Sequence, residues 1–411
     1  MAETVARTPL DQRLTWSVAE YIPQEFVQGV LQGGKDDTDR AYGYRSLGGM
    51  ISAVEEQWDS HWPDIDLWLL NQLRISPLRV QSEEDADIVI VPAILAIHDI
   101  ETQDAFVSNI TTFLPNIHNK PHIVLLNHAV APYIEQGSTL FSHPNSKLLT
   151  FICFTQRFPA EPQYDLDHVV GTPQFTRIHW NQFTMAENRQ PSSNHQLEES
   201  KQKFAAASFG LQHYSDRFVA HRDCMARPDL CSWFNFTDPR EDSLALFHLM
   251  ESAWYVLQPR GDFITRSAWF DTILAGSIPV VFHARYPEFQ PFNDVIDYSR
   301  LMITLPEEEY MQEGSDNILD VLQARFDTNE ALEMLRYIQS VRHVFQFSLN
   351  PEHDVIRWDQ QAMLSEADDA FTFTMKGVMR KLCQRQAGFA NGSPHPSCSH
   401  KGPMATVEYQ E

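Results

Sequence analysis

The sequence predicts an α/β protein built in two units, and three observations carry that prediction. Short apolar runs recur at 88–91, 122–126 and 148–154, separated by stretches long enough for a helix. The pattern restarts at 204–209, 253–257 and 278–282. Between the two sets, residues 186–202 (ENRQPSSNHQLEESKQK) are polar and hold no strand-like run, so the link between the units is expected there.

In chain order, residues 1–40 are polar, end in GGKDDTD and read as a leading arm. From 44 to 73, Met50, Val54, Trp58, Trp68 and Leu69 fall at intervals of three, four or their multiples, which is helical spacing. The segment SPLRVQSEEDADIVIVP passes from an acidic turn into a β-branched run stopped by Pro92. A run apolar on both faces belongs in a parallel sheet covered on both sides. In the second unit, 328–347 and 355–385 read as long helices, and the Gly/Ser/Pro-rich tail from 386 is expected to be disordered. The expected divisions are thus 1–40, 41–190, 203–350, 351–385 and 386–411.

Of the 411 residues, 43% are hydrophobic and 21% charged, so most of the chain can bury a core. Lys and Arg number 31 against 55 Asp and Glu, a net charge of 31 − 55 = −24. Such a surface repels phosphate backbones and anionic lipids, which argues against nucleic acid and membrane surfaces as partners. An anionic ligand then needs a local pocket of positive potential. The five cysteines are irregularly spaced and fit neither a disulfide scaffold nor a zinc ribbon. Cys224 and Cys231 either close a small loop in an oxidising compartment or are two ordinary thiols. No stretch approaches the ~18 apolar residues of a membrane span, and the first residues lack a signal peptide's apolar segment. Asn-x-Ser/Thr sequons at Asn109, Asn235 and Asn391 matter only in a secretory lumen.

Chemistry concentrates in residues 254–282, WYVLQPRGDFITRSAWFDTILAGSIPVVF. A strand is expected first, then a turn whose Gly261 lets backbone approach a ligand. Thr265 or Asp262 is expected to cap the next helix, which runs to about Ala275 with Gly276 as its stop. A strand, a glycine turn and a helix start form an anion site, because unpaired N–H groups and the helix dipole point at the charge. Arg260 and Arg266 flank it, and both can give forked hydrogen bonds to phosphate oxygens. Asp271, further along the helix, could accept from both ribose hydroxyls of a nucleotide. The set suits a nucleotide diphosphate. A structural reading stands beside it, with Arg266 paired to Asp262 and Asp271 a solvated helix residue.

LQPRGDFITRSAWFDTILAGSIPVVF resembles the C-terminal signature of exostosin-like glycosyltransferases, and SPLRVQSEEDADIVIVP resembles their N-terminal segment. The resemblance covers roughly residues 40–350 and implies a GT-B architecture, two Rossmann-like domains facing across a cleft. It implies transfer of a sugar from a nucleotide-sugar, usually a UDP-sugar, to a glycan with inversion at the anomeric carbon. Gly261, Asp262, Arg266 and Asp271 match the family's donor-side positions. Arg217, in HYSDRFVAHRDC, resembles the arginine that follows the family's F-x-G turn and helps hold diphosphate. Here Phe204 leads instead into Ala205, Ala206 and Ala207, with the nearest glycine at Gly210.

Inverting transfer needs a general base for the acceptor hydroxyl. It is expected near the carboxyl ends of the first unit's strands, which nominates His98, beside Asp99, and His128; Asp262 is a third candidate. Three D-x-D triplets (Asp64/Asp66, Asp85/Asp87, Asp165/Asp167) are expected by chance in so acidic a chain. No essential metal or cofactor is expected, because cationic side chains can hold the diphosphate and the nucleotide-sugar is a substrate. Expected partners are a UDP-sugar and a glycan acceptor, with homo- and hetero-oligomers both open. A nucleotide-sugar epimerase or phosphorylase on the same architecture, or a non-catalytic glycan-binding partner of an active transferase, are the competing readings. The resemblance implies the Golgi lumen, whereas the absence of a visible signal or anchor leaves the cytoplasm as the alternative.

Overall fold

The computed structural model describes residues 16–18, 73, 80–91, 100–126, 139–153, 168–174, 193–211, 215–235, 242–261, 265–310, 314–347 and 369–384. Two five-stranded sheets form its frame, and every strand pair in them is parallel. The first contains β1 (Trp16–Val18), β2 (Ile88–Val91), β3 (His122–Leu125), β4 (Leu149–Cys153) and β5 (Val169–Gly171), side by side in chain order. The second contains β6 (Lys203–Ala207), β7 (Cys231–Trp233), β8 (Ala253–Gln258), β9 (Ile278–Val281) and β10 (Ile303–Thr304) in the order β10-β9-β8-β6-β7. Counted from β6 that order is 2-1-3-4-5, a doubly wound sheet whose direction of winding reverses between β6 and β8. Open sheets of this kind bind ligands outside the carboxyl ends of their strands at such a reversal.

Helices α1 (Ile100–Ser108) and α2 (Ile110–Phe113) follow β2, and α3 (Asn194–Ser200) leads into β6. Then α4 (Ser215–Ala226) joins β6 to β7, α5 (Asp242–Glu251) precedes β8, and α6 (Ser267–Leu274) joins β8 to β9. After β9 come α7 (Tyr286–Phe289), α8 (Glu307–Tyr310), α9 (Ile318–Arg325), α10 (Thr328–Val341) and α11 (Ala370–Gln384). Strand side chains alternate between faces, and both faces of the second sheet are covered. Ala205, Ala207, Tyr255 and Leu257 join Trp269, Phe270 and Phe345 in one core, while Ala206 and Val256 join Leu246 and Phe247 in another. That double burial explains the uninterrupted apolar runs. In the first sheet Val89, Val91, Val124 and Phe151 pack with Phe106 and Ile110.

Helix α11 touches both units. Thr374 Oγ1 donates to Thr172 Oγ1 just beyond β5 (2.9 Å), while Phe373 meets Phe292 edge-on at 4.7 Å and Arg380 Nε pairs with Asp294 Oδ2 at 2.8 Å. Cys224 on α4 and Cys231 on β7 form a disulfide with a Cα–Cα distance of 5.2 Å, which decides between the two readings of that pair.

The architecture is α/β with parallel sheets, compatible with Rossmann-like halves, and it departs from expectation at several points. Trp16–Val18, inside the expected arm, pair in parallel with β2. Residues 194–200, inside the expected linker, are helical, started by a capping box between Ser193 and Gln196. Strands β5, β7 and β10 were not expected. The helical spacing of 44–73, apart from Leu73, the residues 351–368 and the tail from 386 lie outside the described residues. Among the described residues, no helix is long and apolar enough to cross a membrane.

Candidate functional site

Strands β6 and β8 are neighbours with Ala207 opposite Leu257, so the turns that follow them emerge together at the reversal. Gly210 lies in one turn and Gly261 in the other. Arg217, in the first turn of α4, ties them: its Nε donates to the carbonyl of Arg260 (2.9 Å) and its Nη1 to the carbonyl of Gly210 (2.9 Å). Arg266 comes from the other side, its Nη1 donating to the carbonyl of Pro259 at 2.6 Å. A Cβ on Gly261 would stand 3.0 Å from Arg266 Cδ, 3.1 Å from its Nε and 3.2 Å from Arg217 Nη2. Two guanidinium groups therefore press on one glycine. Like charges this close repel, carbonyl oxygens offset part of that, and a bound dianion would offset more.

The start of α6 adds to this potential. Its N-cap residue is Arg266, in extended conformation (φ −138°, ψ 144°), whose own side chain makes no cap hydrogen bond and whose carbonyl accepts the Trp269 N–H at 3.1 Å; the positive end of the helix dipole lies at this start. The expected cap by Thr265 does not form, because the cap position falls one residue later. Thr265 is 2% exposed, and its Oγ1 has no hydrogen-bond partner among the described residues. Its carbonyl accepts from Gln174 Nε2 at 3.1 Å, so a side chain from the end of β5 reaches this turn. Gly276, at φ +70°, ends α6 where the sequence expected.

Arg260 is oriented by carboxylates. Buried Asp216 accepts the Arg260 backbone N–H (3.0 Å), and the Arg260 guanidinium lies 3.9 Å from Asp216 and 3.9 Å from Glu307. Asp271 sits one turn deeper in α6 and is 6% exposed, so the solvated reading of that residue fails. The nearest neighbours of Gly261 are the two guanidiniums rather than Asp271. Arg217, Arg260, Gly261, Thr265 and Arg266 are thus gathered by two strand ends. His98, His128 and Asp262 lie outside the described residues.

Phe204 belongs to strand β6, packed edge-on against Tyr255 (5.3 Å) and Phe326 (5.6 Å). Gly210, directly after Phe209, lies in the turn that follows β6, where its carbonyl accepts from Arg217. Asp216, which fixes the Arg260 peptide, was missed. Asp85 and Asp87 stand at the amino end of β2, away from the ligand-binding edge; the other D-x-D triplets lie outside the described residues. Among the described residues, no group of three or more His, Cys, Asp or Glu could hold a metal ion.

Comparison with known families matches residues 20–322 to the Exostosin GT47 domain. Among curated proteins, the chain is similar to xyloglucan-specific galacturonosyltransferase 1 of Arabidopsis thaliana, with 28% identity over 184 residues, 44% of this chain and 26% of that protein. It is 31% identical over 107 residues (25% of this chain, 20% of the relative) to the Arabidopsis protein named "Probable xyloglucan galactosyltransferase GT12". To xyloglucan galactosyltransferase MUR3 of the same plant it is 26% identical over 153 residues, 36% of this chain and 22% of the relative. The matches span about a quarter or less of these relatives' own length.

Proposed function

The chain belongs to the exostosin GT47 domain family, and from that premise we propose that it transfers a hexose from a UDP-sugar to a polysaccharide, with inversion at the anomeric carbon. One observation carries the reading: the guanidiniums of Arg217 and Arg266 converge on Gly261 at the winding reversal of the second sheet. The diphosphate of the donor would lie against that glycine. Arg217, Arg266 and the start of α6 would stabilise the charge that develops as the sugar departs. The facing unit, across an interdomain cleft of GT-B type, would hold the acceptor and supply the base, with His98 and His128 the candidates and Asp262 the third. The relatives' names point to galactose or galacturonate as the sugar and xyloglucan as the acceptor. The Cys224–Cys231 disulfide fits an oxidising compartment such as the Golgi lumen.

The test is turnover. The protein is incubated with UDP-galactose or UDP-galacturonate and xyloglucan oligosaccharides, and UDP release and the anomeric configuration of the product are followed. Acceptor-dependent UDP release with an inverted linkage is expected. UDP binding without release from any donor would favour a non-catalytic partner instead.

A further inference from the structure

The same sheet edge holds a second row of polar groups. Strands β8, β9 and β10 are neighbours in register, Gln258 opposite Val281 and Thr304 opposite Val281. Arg260, His283 and Glu307 follow these strand ends by two or three residues, so they emerge side by side. Arg260 Nη2 lies 3.9 Å from Glu307 Oε1. His283 lies within electrostatic reach of Glu307, Arg285, Glu308 and Arg260. Its Nδ1 accepts the backbone N–H of Arg285 at 3.2 Å, and Phe289 packs edge-on against the ring at 5.8 Å. With Nδ1 accepting, the proton of a neutral imidazole resides on Nε2. Burial lowers the His283 pKa, with Glu307 opposing it, and so favours the neutral ring.

The row thus offers an N–H donor of fixed orientation beside a carboxylate acceptor. That pairing matches vicinal hydroxyl groups, each of which both donates and accepts. Both arginines near the row are already engaged by carboxylates, Arg260 facing Asp216 and Glu307 and Arg285 forked onto Glu288, and Glu308 adds a further negative charge nearby. A uronate would meet repulsion there, whereas a neutral sugar would not.

Resting on the proposed donor site, we propose that His283 and Glu307 form the subsite for the hydroxyls of the transferred sugar, and that this sugar is a neutral hexose. The test is calorimetry with UDP, UDP-galactose and UDP-galacturonate on the full chain, His283→Ala and Glu307→Gln. His283→Ala is expected to bind UDP as the unsubstituted protein does, and in each variant binding of UDP-galactose is expected to weaken roughly tenfold more than binding of UDP, the loss of one charge-assisted or fixed hydrogen bond. The unsubstituted protein should prefer UDP-galactose to UDP-galacturonate. Unchanged UDP-galactose affinity in both variants, or equal weakening of UDP and UDP-galactose, would overturn the subsite while leaving the donor site standing. Equal or tighter binding of the uronate would overturn the neutral-hexose assignment. No binding of UDP to the unsubstituted protein would remove the donor site itself, and the subsite with it.

Discussion

Arg217 and Gly261 meet across the reversal of the second sheet: the guanidinium reaches over the end of β6 to within 3.2 Å of where a side chain on Gly261 would begin. Arg266 closes the other side at 3.0 Å. A methyl group at Gly261 would push Arg266 at its Cδ and Nε and Arg217 at its Nη2 by a few tenths of an ångström. Gly261→Ala should therefore keep stability within about 1 kcal/mol and weaken UDP binding by roughly five- to tenfold. Calorimetry together with a urea titration checks both; an affinity equal to that of the unsubstituted protein would show that the arginines do not hold the nucleotide.

Asp271 provides a separate probe of the nucleotide's orientation. It is 6% exposed on α6, beyond the turn that carries Arg266. If its carboxylate meets the ribose, Asp271→Asn should weaken UDP more than inorganic diphosphate. Equal losses for the two ligands would assign Asp271 to the scaffold of α6.

The disulfide connects stability to the site. Cys224 anchors the end of α4, whose first turn carries Arg217, to β7. For so short a loop, cross-linking restricts the unfolded chain by about 2.5 kcal/mol. Reductant should lower the melting temperature of the unsubstituted protein and leave Cys224→Ser/Cys231→Ser unaffected. Identical melting with and without reductant would show that the bond contributes nothing.

Acid should weaken the first sheet through His122. This ring is fully buried at the start of β3, hydrogen-bonded through Nδ1 to the Lys120 carbonyl at 2.8 Å. Burial lowers its pKa to about 4, with the Lys120 carbonyl opposing the shift. The unfolded chain takes up this proton near pH ~6.5 and the folded one near 4. Stability is therefore full above pH ~6.5 and falls towards pH 4, by up to about 3 kcal/mol. His122→Leu should lose less stability over that range in urea titrations; parallel profiles would contradict this.

What the sequence shows clearly depends on length and burial. Ile88–Val91 and Ile278–Val281 were legible because every residue in each is buried. Val169–Gly171, Cys231–Trp233 and Ile303–Thr304 were not, because two or three residues carry no periodicity. Helix α3 hid in a polar stretch where only Leu197 turns inward; the serine and glutamine of its capping box were its visible signal. At the site, Gly261 and Arg266 were legible because turn, arginine and helix start are consecutive in sequence. His283 was passed over although it stands just beyond an apolar run, the same rule that nominated His98 and His128. Its neighbours Arg260 and Glu307 come from other strands, and only the sheet order brings them together.

The most direct test titrates UDP into the unsubstituted protein and into Arg217→Ala/Arg266→Ala in the same buffer. Each lost charge-assisted contact should cost about 1.5–3 kcal/mol, so the double variant should bind UDP at least roughly a hundredfold more weakly with its fold intact by circular dichroism. Equal affinity in the two proteins, or no UDP binding to either, would contradict a pyrophosphate site at Gly261.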